Sequence, residues 1–215
     1  MMKLSGAIFD LDGTLLDSMP FWETVGSRYL IDRGIPVPDD LPLRLKTMTL
    51  PEAAEYYRHD FGITESAETI CRQISGMIED DYRRRAPLKS GVRDMLDCML
   101  GRGIPMCIAT ATDRALVDLA VERLHIADYF SFIVTCGDLN TSKNMPYIFD
   151  ECARRLGTQK EQTAVFEDSL HCIETASGAG YPVIGVYDAS ARSEAEQIKP
   201  LCRQYLTDWR QFCYE

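Results

Sequence analysis

The sequence predicts an α/β fold, a Rossmann-like parallel sheet with helices on both faces, interrupted by an inserted helical domain. Three observations lead there. Five short apolar runs bounded by turn residues read as strands buried on both faces. Stretches of helical spacing separate the last four runs, and such alternation implies parallel pairing. One interval, residues 18–88, carries helix patterns and no strand. A chain of 215 residues is long enough for a sheet domain, residues 1–17 and 89–215, that carries this insertion.

The first run is Ala7-Ile8-Phe9, and it leads directly into Asp10-Leu11-Asp12-Gly13-Thr14. Two carboxylates one residue apart therefore stand where the strand ends, the place where open α/β sheets bind ligands. A strand-end turn accounts for Asp and Gly but does not need both Asp10 and Asp12. The insertion follows, with helices expected at Pro20–Asp32, Pro51–His59 and Glu65–Arg85. The third would turn Ile70, Ile74, Met77, Ile78 and Tyr82 inward. Pro36, Pro38 and Pro42 mark a loop between the first two. Placed just after the first strand, this block reads as a lid over the carboxyl ends of the sheet.

The second strand, Met106–Ala109, ends in Thr110-Ala111-Thr112-Asp113, and Leu116, Leu119, Ala120 and Leu124 trace a helix from near Asp113. The third, Phe132–Thr135, is followed by a loop with Lys143, then by Ile148, Cys152 and Leu156 on a helix ending at Gly157. The fourth, Ala164–Phe166, leads into Glu167-Asp168-Ser169 and a helix through Ile173, Ala176 and Ala179 to Gly180. The fifth is Val183–Tyr187.

Composition narrows the function classes. Hydrophobic residues at 46% and charged residues at 26% are ordinary for a soluble globular protein. A formal net charge of −10 argues against a nucleic-acid partner, which calls for a basic face. No run reaches the roughly 18 apolar residues of a membrane span. The start of the chain leaves no room for a basic segment plus an apolar signal core. The eight cysteines contain no Cys-x-x-Cys pair, and His59, His125 and His171 show no metal-site spacing. A reducing cytoplasm is the expected compartment.

The strand ends offer the parts of a phosphoryl-transfer site, which needs an in-line nucleophile, a cation on the phosphoryl oxygens and a proton donor. Asp10 is suited to nucleophilic attack and Asp12 to proton transfer, both side chains lying on one side of an extended segment. Asp10, Glu167 and Asp168 form an oxygen-rich set suited to Mg²⁺. Thr110 and Ala111, at a helix start, make a phosphate cradle, and Lys143 neutralises phosphate and nucleophile charge. Each later signal has an ordinary explanation: helix capping for Thr110–Asp113 and Asp168–Ser169, solvation for Lys143. Their order at four successive strand ends carries the reading.

This ordered set resembles the haloacid dehalogenase-like superfamily over nearly the whole chain. Its first motif, Asp-x-Asp-Gly-Thr, is complete at Asp10–Thr14; Thr110, Lys143 and the Glu167–Asp168 pair resemble the second, third and fourth. At the third, many relatives have Lys-Pro-x-Pro, whereas Lys143 is followed by Asn144 and only Pro146 matches. The resemblance implies Asp10 as nucleophile and Asp12 as acid/base with its backbone carbonyl on Mg²⁺. It implies Asp168 as metal ligand supported by Glu167, sheet order 5-4-1-2-3, and a type 1 cap in the insertion. Asp12 argues against the superfamily's dehalogenases, which lack it. Relatives resembling β-phosphoglucomutase carry a His and an Arg where Trp22 and Leu50 stand here, which favours hydrolysis over mutase chemistry. The expectation is a Mg²⁺-dependent phosphatase of a small phosphorylated metabolite, with a sugar phosphate leading and Trp22, Lys46 and Thr47 facing the substrate from the insertion. The sugar-phosphate mutase is the alternative, and a non-catalytic phosphate- or protein-binding module is the reading from another class. The state expected is a monomer or homodimer.

Overall fold

A computed structural model describes residues 4–45, 48 and 50–212. In chain order the elements are β1 (Gly6–Phe9), α1 (Met19–Ile31), α2 (Leu41–Leu45), α3 (Leu50–Phe61), α4 (Ala67–Arg84) and α5 (Val92–Gly101). There follow β2 (Met106–Thr110), α6 (Arg114–Arg123), β3 (Phe132–Thr135), α7 (Tyr147–Leu156), β4 (Thr163–Glu167) and α8 (Leu170–Gly178). β5 (Val183–Val186), α9 (Ala195–Ile198) and β6 (Gln204–Leu206) complete the chain. Met1–Ser18 and Pro87–Glu215 form one compact unit, Met19–Ala86 another.

The sheet is parallel throughout, in the order β3-β2-β1-β4-β5-β6. This is the expected order of five strands with one more added at the edge. β1 lies at the centre, pairing Ala7 with Met106 of β2 and Phe9 with Phe166 of β4. The strand order reverses there, so the ends of β1, β2 and β4 border the crevice of a doubly wound sheet. Side chains alternate across the sheet. Ile8, Cys107 and Val165 join one core with Ile148, Cys152 and Ile173 of α7 and α8. Phe9 and Phe166 belong to an aromatic cluster in which their rings stack at 4.5 Å and Phe166 stacks on Trp209 at 5.3 Å. α7 stops at Gly157, whose φ of 69° permits the left-handed C-terminal turn.

Sequence periodicity misses α5, β6 and the short α2. β6 has three residues, only Leu206 of them buried, so no apolar run marks it. Its place is made by Gly185 of β5, where a Cβ would stand 2.7 Å from Cys202 Sγ and 2.8 Å from the Tyr205 ring.

In the helical unit, α4 starts at Ser66, whose hydroxyl accepts the Thr69 N–H at 3.2 Å. Its buried face holds Ile70, Ile74, Ile78 and Tyr82, with Met77 half-buried. The same face carries Asp81, fully buried and paired with Arg28 (Nη1–Oδ1 3.2 Å) and Arg85. Truncating Asp81 leaves two guanidinium groups without their acceptor. D81A is expected to destabilise the protein by about 2–3 kcal/mol, checked by denaturant unfolding.

Among the described residues no helix is long and apolar enough to cross a membrane.

Candidate active site

β1 delivers Asp10 to the sheet's carboxyl edge, where its N–H donates to the Phe166 carbonyl at 3.0 Å. β4 ends in Glu167, and the chain turns through Asp168 and Ser169 into α8. Lys143, from the loop between β3 and α7, enters the same space and is buried. Its ammonium donates to Asp10 Oδ1 and, at 2.8 Å, to Glu167 Oε1. Glu167 Oε2 accepts the N–H groups of Asp168 at 2.8 Å and Ser169 at 2.9 Å, so both its oxygens are engaged. Asp168 Oδ1 accepts the Thr14 hydroxyl at 3.0 Å. Gly13 lies against Asp168: a Cβ there would be 2.4 Å from Oδ2, and its φ of +80° favours glycine again.

One ammonium is thus shared by buried carboxylates that it cannot all neutralise. Burial, assisted by Glu167 and Asp12, pushes Asp10 up to about 7 despite Lys143. Burial and the charges of Glu167 and Asp10 hold Asp168 well above the usual carboxylate range. Burial opposes the Glu167 charge as well, yet Lys143 and the Ser169 N–H outweigh it and keep this carboxyl low. Burial also opposes the Lys143 charge, and Asp10 and Glu167 overcome it, holding the amine well above its ordinary value.

Asp10, Glu167 and Asp168 offer ligand oxygens that all lie within 4.8 Å of one another. Hard oxygen donors carrying uncompensated negative charge fit a divalent cation such as Mg²⁺. Glu167 is the least available of the three, since Lys143 and two backbone N–H groups already hold it.

Without a cation, Asp10, raised from 3.8 to about 7, binds more protons in the folded chain than in the unfolded one between those values, and the raised Asp168 acts in the same direction. Unfolding free energy therefore falls as pH rises through that window. The lowered Glu167 acts below it and the raised Lys143 above it. Millimolar Mg²⁺ is accordingly expected to raise the melting temperature by roughly 5 °C more at pH 8 than at pH 5. A Mg²⁺ effect that does not vary with pH in thermal melts contradicts the cation site.

The carboxylate of Asp12 stands apart from that cluster. Ser18 donates to its Oδ1 at 2.6 Å and Thr112 to its Oδ2. Thr110 ends β2, buried, and its hydroxyl oxygen accepts the Thr112 N–H at 3.1 Å, which directs its own proton elsewhere. Ala111 between them is exposed. Capping does not explain these residues: Asp113 and Ser169 occupy N-cap positions without a side-chain cap bond, and the Asp168 carboxylate takes Thr14. The sequence reading assigned nothing to Thr14, Ser18 or Thr112. The Asp-Gly-Thr run and the Thr-Ala-Thr spacing were the available signals for two of them.

Trp22 lies on α1 of the helical unit, where its indole N–H donates to the Tyr82 hydroxyl at 2.9 Å and the two rings meet edge to face at 6.3 Å. It is 38% exposed. Lys46 and Thr47 lie outside the described residues.

The sequence profile of the haloacid dehalogenase-like hydrolases matches residues 7–186. The chain is 26% identical to a phosphorylated carbohydrates phosphatase of Thermotoga maritima over 177 residues, 82% of each chain. It is 28% identical to a fructose-1-phosphate phosphatase of Escherichia coli over 192 residues, 86% of this chain and 97% of the relative. Among solved structures, a putative β-phosphoglucomutase from Thermotoga maritima superposes with a TM-score of 0.83 at 24% identity, covering 96% of both chains. At that identity the likeness concerns the fold.

Proposed function

Because the chain belongs to the haloacid dehalogenase-like hydrolases, and relatives named as phosphatases make it a phosphoric monoester hydrolase, we propose a Mg²⁺-dependent phosphatase of a small phosphorylated metabolite, most suitably a sugar or polyol phosphate, acting through an aspartyl-phosphate on Asp10. The observation that carries this reading is the buried cluster of Asp10, Lys143, Glu167 and Asp168 beside an Asp12 held outside it by hydroxyls.

A carboxylate oxygen of Asp10 attacks phosphorus while the bond from phosphorus to the substrate oxygen breaks, its electron pair leaving on that oxygen. The carboxyl proton of Asp12 transfers to the departing oxygen and releases the alcohol. Water then attacks phosphorus, its proton passes to Asp12, and the bond to Asp10 breaks to give phosphate. Lys143 holds the Asp10 oxygen it already touches and lends positive charge to the transferring group. The Thr110 hydroxyl is oriented by its bond from the Thr112 N–H to donate to a phosphoryl oxygen. Asp10, Asp168 and the Asp12 carbonyl would hold a divalent cation, which would supply the remaining neutralisation of phosphoryl charge.

The test is phosphate release from a panel of hexose, hexitol and glycerol phosphates, with Mg²⁺ and with EDTA. Metal-dependent release that ranks these substrates is the expected result. The panel includes β-glucose 1-phosphate, scored for glucose 6-phosphate as well; isomerisation without net release overturns the phosphatase reading in favour of a mutase. No turnover of any substrate overturns it in favour of a binding module.

A further inference from the structure

The two oxygens of Asp12 are held differently. Oδ1 accepts from Ser18, which is fully buried and only six residues along the chain. Oδ2 accepts from Thr112, which is half-buried and arrives from the end of β2, 100 residues away. A bond to one oxygen leaves a carboxylate able to rock about that contact, whereas a second bond to the other oxygen fixes its plane. Thr112 is itself tied down, its N–H donating to the Thr110 hydroxyl oxygen at 3.1 Å. The orientation of Asp12 is thereby coupled to the residue that ends β2 beside Asp10.

Resting on the phosphatase reading above, we propose that Thr112 is a positioning residue for Asp12: its hydroxyl, opposite Ser18, sets the carboxyl plane from which the proton reaches the departing oxygen. Ser18 serves as the fixed anchor and Thr112 as the outer stay. The chemistry this controls is specific. An alkyl leaving group departs as a strongly basic oxygen and needs the proton, while a nitrophenolate departs without it. Misdirecting Asp12 therefore penalises natural alcohol leaving groups and spares an aryl phosphate, so Thr112 helps to fit the site to sugar and polyol phosphates.

The experiment compares wild type, T112V, T112A and T112S on a hexitol phosphate and on p-nitrophenyl phosphate. It reads kcat/KM, which covers only the steps through departure of the alcohol. T112V keeps the shape of threonine at a half-exposed position and removes the donor; T112A removes it with less bulk. Both are expected to lose about 10- to 100-fold on the hexitol phosphate and less than about 3-fold on the aryl phosphate. T112S, which retains the hydroxyl, is expected to restore the hexitol rate to within about 3-fold of wild type. Equal losses on both substrates, no loss on either, or failure of T112S to restore the rate overturn the proposal. Absence of metal-dependent turnover in wild type overturns the phosphatase reading instead, so the two failures are distinct.

Discussion

Asp10→Asn is expected to lower turnover by about 10⁵-fold, equivalent to roughly 7 kcal/mol of transition-state stabilisation. An amide oxygen is a poor nucleophile toward phosphorus, and the substitution also replaces an anionic ligand of the group formed with Glu167 and Asp168 by a neutral one. The loss should appear on alkyl and aryl phosphates alike, because Asp10 is the nucleophile whichever leaving group departs. Acid quenching of wild type during turnover of labelled substrate should leave phosphate on the protein, and D10N should carry none. Stability should move differently. The Asp10 carboxyl stands at about 7 because burial opposes its charge. Neutralising it relieves the metal-free protein of an unfavourable anion at pH 8, so D10N should melt no lower than wild type in EDTA, and Mg²⁺ should raise its melting temperature less. Turnover within tenfold of wild type would rule out the covalent route.

The parts of this protein legible in its sequence are those that local patterning specifies. Four strands are buried at every residue, and β3 at two of its four, so each central strand is a short apolar run. Asp10, Thr110 and Glu167–Asp168 stand at or just past their ends, and Lys143 enters from the loop after β3 to meet Asp10 and Glu167. The residues that escaped depend on tertiary contact. Thr112 meets Asp12 across 100 residues, and Asp81 meets Arg28 across 53. Periodicity alone treats a carboxylate in the inner stripe of α4 as an error; the two arginines make it tolerable. β6 escaped because edge pairing requires little apolar surface, and Gly185 admits it by having no side chain. Period-2 alternation puts the Asp10 and Asp12 side chains on one side of an extended segment, but the chain turns at Leu11 and Gly13, and the Asp12 carboxylate takes the hydroxyls of Ser18 and Thr112, a separation that no spacing rule encodes.

Lys143 is the residue whose loss should be felt in both stability and activity, because it is bonded to both Asp10 and Glu167. Lys143→Met removes the ammonium bonded to Asp10 and Glu167 and leaves two buried carboxylates without it. In wild type the lowered Glu167 contributes stability above the ordinary glutamate range, and that contribution disappears with the lysine. The carboxyl groups of the variant can remain uncharged only by binding protons, so its unfolding free energy should fall more steeply with rising pH than that of wild type. A loss of about 3–5 kcal/mol is expected at pH 8, shrinking toward pH 5, in denaturant unfolding with EDTA. Millimolar Mg²⁺ should recover part of it. Turnover should drop about 10³-fold even in Mg²⁺, since the charge lent to the transferring group goes with the ammonium. The double variant K143M/E167Q separates pairing from packing. If the stability loss comes from the unpaired Glu167 charge, neutralising Glu167 should recover most of it at pH 8 while leaving turnover low. A loss that persists in the double variant and does not vary with pH would assign Lys143 a packing role and remove it from the charge balance of the site.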